Sequence, residues 1–177
     1  MPVYFLIALA VLFADLASKM AVSNGMALGD SLPLIPGVLH ITHVANSGMA
    51  FGLLADARWV FIASSCVMIA FAVWFLARDR GYARCVPLCA ALILGGGAAN
   101  LVDRVCVLGK NDLTGSVVDF IDFCALPQVW QWTFNVADSA VCVGAAILAV
   151  YLLFFDKKAA ENGKKPLLFD PKESKKP

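Results

Sequence analysis

Apolar residues run along this chain in four long blocks, at about residues 3–22, 59–77, 85–102 and 134–155. Each is close to the ~20 residues that a helix needs to cross the hydrocarbon core of a bilayer. The pattern predicts four transmembrane helices. Two long loops (23–58 and 103–133) and one short basic loop (78–84) join them. Residues 1–155 read as one membrane domain. Residues 156–177 read as a basic tail, rich in lysine, poor in aromatics and expected to be disordered.

Composition points the same way. The chain is 60% hydrophobic and 15% charged, whereas a soluble domain is roughly 45–50% apolar and about 25% charged. The net charge of +1 carries no signature of a nucleic-acid partner. The placement of the basic residues says more. Arg78, Arg80 and Arg84 lie in the short loop, and seven lysines lie in the tail, so ten of the fourteen basic residues fall on one side. The positive-inside rule makes that side cytoplasmic, with both termini inside and the two long loops outside. The first block does not read as a signal peptide. It lacks a basic leading region, and it carries Asp15 and Lys19. Cys66, Cys85, Cys89 and Cys142 fall within the apolar blocks and read as small core residues. Cys106 and Cys124 lie in or near the second long loop, and their pairing is left open.

The polar exceptions inside the blocks gather at one depth. With the N-terminus inside, Asp15 and Lys19 lie in the outer half of the first helix. Asn100, Asp103 and Arg104 end the third, and Asn135, Asp138 and Ser139 begin the fourth. The second block has no charge. A charge at a helix centre costs on the order of 2.5–3.5 kcal/mol, so such residues read as functional by default. Asp15 and Lys19, spaced i,i+4 with the acid first, suit a helical ion pair. Asn100, Asp103 and Arg104 read as a polar clamp or an interfacial anchor, and Arg104 also suits a snorkelling role. Gly95-Gly96-Gly97-Ala98-Ala99 reads as a close-packing surface between helices. It does not read as a phosphate loop, because no strand, Lys or Ser/Thr follows in the required pattern.

The first long loop contains LHITHVANSGMAFG, an alternating β-branched stretch that predicts a strand. His40 and His43, three apart on a strand, point to opposite faces, which argues against a metal site. Asn46, Ser47 and Gly48 read as a turn, with Gly48 and Gly52 relaxing the backbone. The second long loop contains VVDFID, where Asp119 sits among Val117, Val118, Phe120 and Ile121, with Asp122 as a rival carboxylate.

Asp119 and Asp138 are nineteen residues apart, and the loop between them is free to fold back. Asn135 is a candidate N-cap, which places Asp138 at N3, where the helix N-terminus favours a charged carboxylate. Apolar neighbours are expected to raise the pKa of Asp119, leaving Asp138 the more acidic member. Two carboxylates brought together share a proton, activate water and need no metal. The chemistry they suit is peptide hydrolysis.

Five ordered stretches carry a resemblance: DLASK (15–19), HVANSGMAFG (43–52), GGGAANLVDR (95–104), VVDFID (117–122) and FNVADSAVCVG (134–144). Together they resemble the bacterial lipoprotein signal peptidase, or signal peptidase II, family over most of residues 1–155. The resemblance implies an aspartic endopeptidase of the bacterial cytoplasmic (inner) membrane, with its active site near the outer leaflet. Such an enzyme cuts prolipoproteins just before a diacylglyceryl-modified cysteine. It implies Asp119 and Asp138 as the catalytic pair, and Asp15, Lys19, Asn46, Asn100, Asp103, Arg104 and Asn135 as residues that shape the site or touch substrate. It implies four helices with a small extracytoplasmic β-cradle, inhibition by globomycin and no cofactor or metal; a monomer is expected. Two features depart from the family. Leu16 stands where Gln is frequent, and VCVLGKNDLTG (105–115) is longer than usual. The second bears on the outer loop and substrate fit, not on the pair.

Two other classes compete. Intramembrane charges also mark ion and proton paths, but a small transporter or proton conductor needs polar groups at several depths. A structural subunit, whose polar residues only lock helices together, would tolerate replacement of Asp119.

Overall fold

The computed structural model describes residues 2–46, 58–78, 81–106, 116–125 and 132–168. Four helices carry the fold: α1 (Pro2–Gly25), α2 (Arg58–Leu76), α3 (Cys85–Val105) and α4 (Val136–Phe154). All four are long and apolar enough to cross a membrane. Their edges differ from the sequence reading by a few residues. The ends of α1 and α3 each run three residues further, and α3 carries Asp103 and Arg104 on the helix.

The core is thin, as expected where lipid replaces water outside the bundle. Helix α3 is the most enclosed, with ten buried residues, and the other three pack around it. Its glycines allow this. A Cβ on Gly95 would lie 2.5 Å from the carbonyl oxygen of Ala8 in α1. One on Gly96 would collide with the carbonyl oxygen of Ala137 in α4, and one on Gly97 with the terminal methyl of Met68 in α2. Successive helical residues turn by about 100°, so three consecutive glycines open three directions, one to each neighbour. Small residues that admit close backbone approach are the usual means of packing helices in lipid.

A four-stranded antiparallel sheet stands at one end of the bundle, in the order β1 (Ser31–Ile35), β2 (Leu39–Asn46), β3 (Val117–Phe123), β4 (Thr133–Phe134). The strand read around His40 and His43 is β2. It is joined to β1 by a turn at Pro36-Gly37, where Gly37 has φ +72°. That Pro-Gly pair is a turn signal in the sequence. Asn46 ends β2 rather than opening a described turn, and Ser47, Gly48 and Gly52 lie outside the described residues. So does most of the long 105–115 stretch.

The segment after Phe155 differs from the disordered tail read in the sequence. Asp156–Glu161 forms a short helix, α5. The carboxylate of Asp156 is buried and accepts the backbone N–H groups of Leu167 and Leu168, each at 2.8 Å. The N–H of Lys165 donates to the carbonyl of Gly81 at 3.0 Å. One buried carboxylate with two amide donors holds this return in place. Residues 169–177 lie outside the described residues.

Candidate active site

The sheet delivers Asp119. On β3 it is 2% exposed, and its backbone pairs with Val44. Asn46 pairs with Val117, two residues away, so its side chain reaches Asp119 along the diagonal of the same face. The amide of Asn46 donates to one oxygen of Asp119 at 2.8 Å. Strand β4 then turns the chain back beside β3, with Phe134 opposite Ile121. Carried a little further, that register sets the start of α4 next to Asp119. This is how residues far apart in sequence come to one place.

Asn135, fully buried, is the hinge of the arrangement. Its side-chain amide donates to the second oxygen of Asp119 at 2.7 Å. Its side-chain carbonyl accepts the backbone N–H of Asp138 at 2.8 Å, and the Asp138 carboxylate accepts the backbone N–H of Asn135 at 3.3 Å. Those two bonds are a reciprocal capping box. Asn135 is therefore the N-cap and Asp138 the N3 residue, as their spacing predicts. The amide of Asn100, one turn before Asp103 on α3, donates to the other oxygen of Asp138 at 2.7 Å.

Behind the pair lies a buried ionic cluster. Lys19 contacts Asp15 at 2.5 Å, Asp103 at 2.6 Å and the carbonyl oxygen of Asn100 at 2.8 Å. The i,i+4 pair read in the sequence is present, but Lys19 does more than complete it. It ties α1 to α3 and orients the amide that holds Asp138. Asp15 does more as well, since its other oxygen accepts the backbone N–H of Ala137 at 2.8 Å. Ala137 is the second residue of α4, and its N–H has no partner within the helix. Asp15 thus caps α4 from another helix. Arg104 is half-buried, with its guanidinium 4.8 Å from the centre of the Phe61 ring. It lies within electrostatic reach of Asp119, Asp138 and Asp103.

Burial pushes the Asp119 carboxyl up to about 6, and the nearby charge of Asp138 adds to this. The amides of Asn46 and Asn135 and the charge of Lys19 work the other way. The rise agrees with the expectation from its apolar neighbours.

The remaining candidates lie apart. Asp122 accepts the hydroxyl of Thr42 at 2.7 Å and stands opposite His40 on β2, away from Asp138. His43 is buried, with Nδ1 3.1 Å from the carbonyl of Met26, while the Nδ1 of His40 lies 3.2 Å from the hydroxyl of Ser31. Cys106 and Cys124 are both free thiols. Among the described residues no group of three or more His, Cys, Asp or Glu is arranged to hold a metal.

The family model for signal peptidase (SPase) II matches residues 7–154. A lipoprotein signal peptidase of Halothermothrix orenii is 38% identical over 84% of this chain and 93% of its own length. One of Clostridioides difficile is 36% identical over 88% and 98%. A solved bacterial membrane enzyme superposes with a TM-score of 0.76 at 30% identity, covering 96% of both chains.

Proposed function

The chain belongs to the signal peptidase II family, and we propose that it cleaves by an aspartic mechanism in which Asp119 and Asp138 share the work. The protein is a membrane-embedded peptidase that removes signal peptides from lipoproteins. The observation that carries the aspartic reading is Asn135. This one buried residue bonds to both carboxylates, its side-chain amide to Asp119 and its backbone N–H to Asp138, at the end of the bundle where the sheet stands.

The protonation states follow from the surroundings. In the active form the pair holds one proton, and Asp119, raised to about 6 by burial, carries it, a form that is fully populated only below that pH. Asp138, which accepts the Asn100 amide and the Asn135 backbone N–H, acts as the base. Asp138 takes a proton from water as the water oxygen bonds to the peptide carbonyl carbon. Asp119 gives its proton to the carbonyl oxygen, which yields a neutral diol. The leaving nitrogen then takes the proton from Asp138. As the C–N bond breaks, a diol hydroxyl returns a proton to Asp119. Atoms and charges balance, and no metal takes part.

The finer parts of the reading belong together. The sheet faces the outside of the bacterial inner membrane, and both termini are cytoplasmic. The bond cut lies just before a diacylglyceryl-modified cysteine, at the outer leaflet. The enzyme acts as a monomer, with 1–155 as its catalytic domain, and globomycin competes for the site. Asn46, Asn100 and Asn135 orient the pair, Asp15, Lys19 and Asp103 support those amides, and Arg104 supplies positive charge toward the carboxylates. A transport role is disfavoured because the buried charges within α1 and α3 lie at the same end as Asp119 and Asp138.

The deciding experiment is cleavage of a diacylglyceryl-modified prolipoprotein by purified wild type, Asp119→Asn and Asp138→Asn, with melting in detergent as the folding check. Folded variants that leave the precursor uncut, beside an active wild type, support the pair. Normal cutting by either variant overturns it and brings Asp122 forward.

A further inference from the structure

At the end of the bundle opposite the aspartates, α4, α5 and the start of α3 enclose a cleft of about 720 Å³. From Asp138 it lies most of a membrane thickness away, at ~1.5 Å of rise per residue along α4. Its walls are apolar: Ala146, Ile147, Val150 and Phe155 from α4 and its end, and Cys85 from α3. Ile147, Val150 and Phe155 are 39%, 48% and 51% exposed, so the cleft opens sideways, toward lipid. Its rim is cationic. Lys158 of α5 and Lys164 both line it and are otherwise exposed, and exposed Arg84 lies between the lining residues Ala83 and Cys85. The buried carboxylate of Asp156 accepts two backbone amides. The rim therefore presents exposed positive charge above an apolar slot.

We propose that this cleft binds an anionic membrane phospholipid, with an acyl chain along Ile147 and Val150 and the phosphate between Lys158 and Lys164. Two features select this occupant. The slot opens to the bilayer side of α4, where acyl chains are the available apolar matter. Its charges stand just past the end of a spanning helix, at headgroup depth, where clustered lysines and arginines attract anionic lipid. The volume is that of a ligand pocket, not of a gap between side chains. The floor is also fixed: the Asp156 clamp, the Lys165–Gly81 hydrogen bond and the ammonium of Lys165, 5.5 Å from the Tyr82 ring centre, pin the return segment. The cleft does not depend on the catalytic reading, since no residue proposed for catalysis lines it.

The test is native mass spectrometry of the full chain, released from micelles containing equal amounts of dioleoyl phosphatidylglycerol and dioleoyl phosphatidylcholine. Wild type is expected to retain the anionic lipid at least five-fold over the zwitterionic one. The double variant Lys158→Gln/Lys164→Gln is expected to lose that preference. Val150→Trp, which fills the slot, is expected to lower retention of the anionic lipid several-fold. Equal retention of both lipids by wild type, or an unchanged preference in the lysine variant, overturns the proposal. Full retention by a folded Val150→Trp protein overturns the slot. Prolipoprotein cleavage by the same variants is expected to continue, which separates failure here from failure of the catalytic reading.

Discussion

The amide of Asn135 donates to Asp119 at 2.7 Å from the same side chain whose carbonyl caps the helix that carries Asp138. One residue thus sets where the fourth helix starts and where the second carboxylate points. The two roles are separable by substitution. Asn135→Ser keeps an N-capping oxygen and loses the amide, so it is expected to keep the helix start and to melt between wild type and Asn135→Ala. Losing a hydrogen bond to a carboxyl group costs about 1.5–3 kcal/mol, which corresponds to a kcat lower by about 10- to 100-fold. Asn135→Ala loses the cap as well, and its melting temperature is expected to fall below that of Asn135→Ser. Equal kcat in Asn135→Ser and wild type would remove Asn135 from the site.

The ionisation of Asp119 sets a pH limb. With the active form carrying a proton on Asp119, whose carboxyl is raised to about 6, kcat/KM is expected to fall as pH rises through that value. Asn46 opposes the rise by donating to the carboxylate. Asn46→Leu removes the donor, so the Asp119 pKa climbs further and the limb moves to higher pH. A pH–rate profile of the two proteins checks the sign, and a limb moving to lower pH would reverse the assignment.

Stability responds to the same group. The folded pKa lies above the usual value of 3.8, so the native state binds the proton more tightly. That contribution is full below about pH 4 and is lost as pH rises through about 6. Asp119→Asn removes the titration. The melting-temperature difference between Asp119→Asn and wild type is expected to widen in favour of the variant from pH 4 to pH 7, measured in one detergent.

Lys19 is 3% exposed between Asp15 and Asp103. Removing one partner of a buried ion pair costs roughly 3–5 kcal/mol, because the remaining charges stay buried. Lys19→Met is expected to destabilise on that scale. The triple variant Lys19→Met/Asp15→Asn/Asp103→Asn is expected to recover part of the loss in chemical denaturation. A single variant with wild-type stability would show that the cluster is held by something else.

The glycines of α3 are not equivalent. A methyl on Gly96 meets the backbone carbonyl of Ala137, which has nowhere to go, whereas a methyl on Gly97 meets the flexible end of Met68. Gly96→Ala is expected to destabilise by about 2 kcal/mol or more, as overpacking does, and to lower activity by moving the start of α4. Gly97→Ala is expected to cost less. Thermal melts of the two, side by side, decide.

What was legible in the sequence is what depends on near neighbours along the chain. The four apolar blocks, the Asp15–Lys19 spacing and the Asn135–Asp138 cap are all local, with periods fixed by helix geometry. The glycine run was readable as a packing surface, but not which glycine faces which helix. The sheet was readable only as one strand, because β1 and β4 are short and their partners are set by register. The contact from Asn46 to Asp119 depends on β2 pairing with β3 across 73 residues, and no local pattern encodes that. The return of the chain after Phe155 was missed because its composition is lysine-rich. Its order rests on contacts that composition does not weigh: the buried carboxylate of Asp156, and Lys165 held to Gly81 and Tyr82.

The bond from Asp15 to the backbone of Ala137 joins the first helix to the last across 122 residues. During synthesis α1 enters the bilayer long before α4 exists. Until then one Asp15 oxygen faces a partner that has not been made. The nascent chain therefore carries an incomplete cage, and the last helix to insert closes it. The bond makes the first and last spanning helices interdependent, because the start of α4 is fixed by a group made more than a hundred residues earlier.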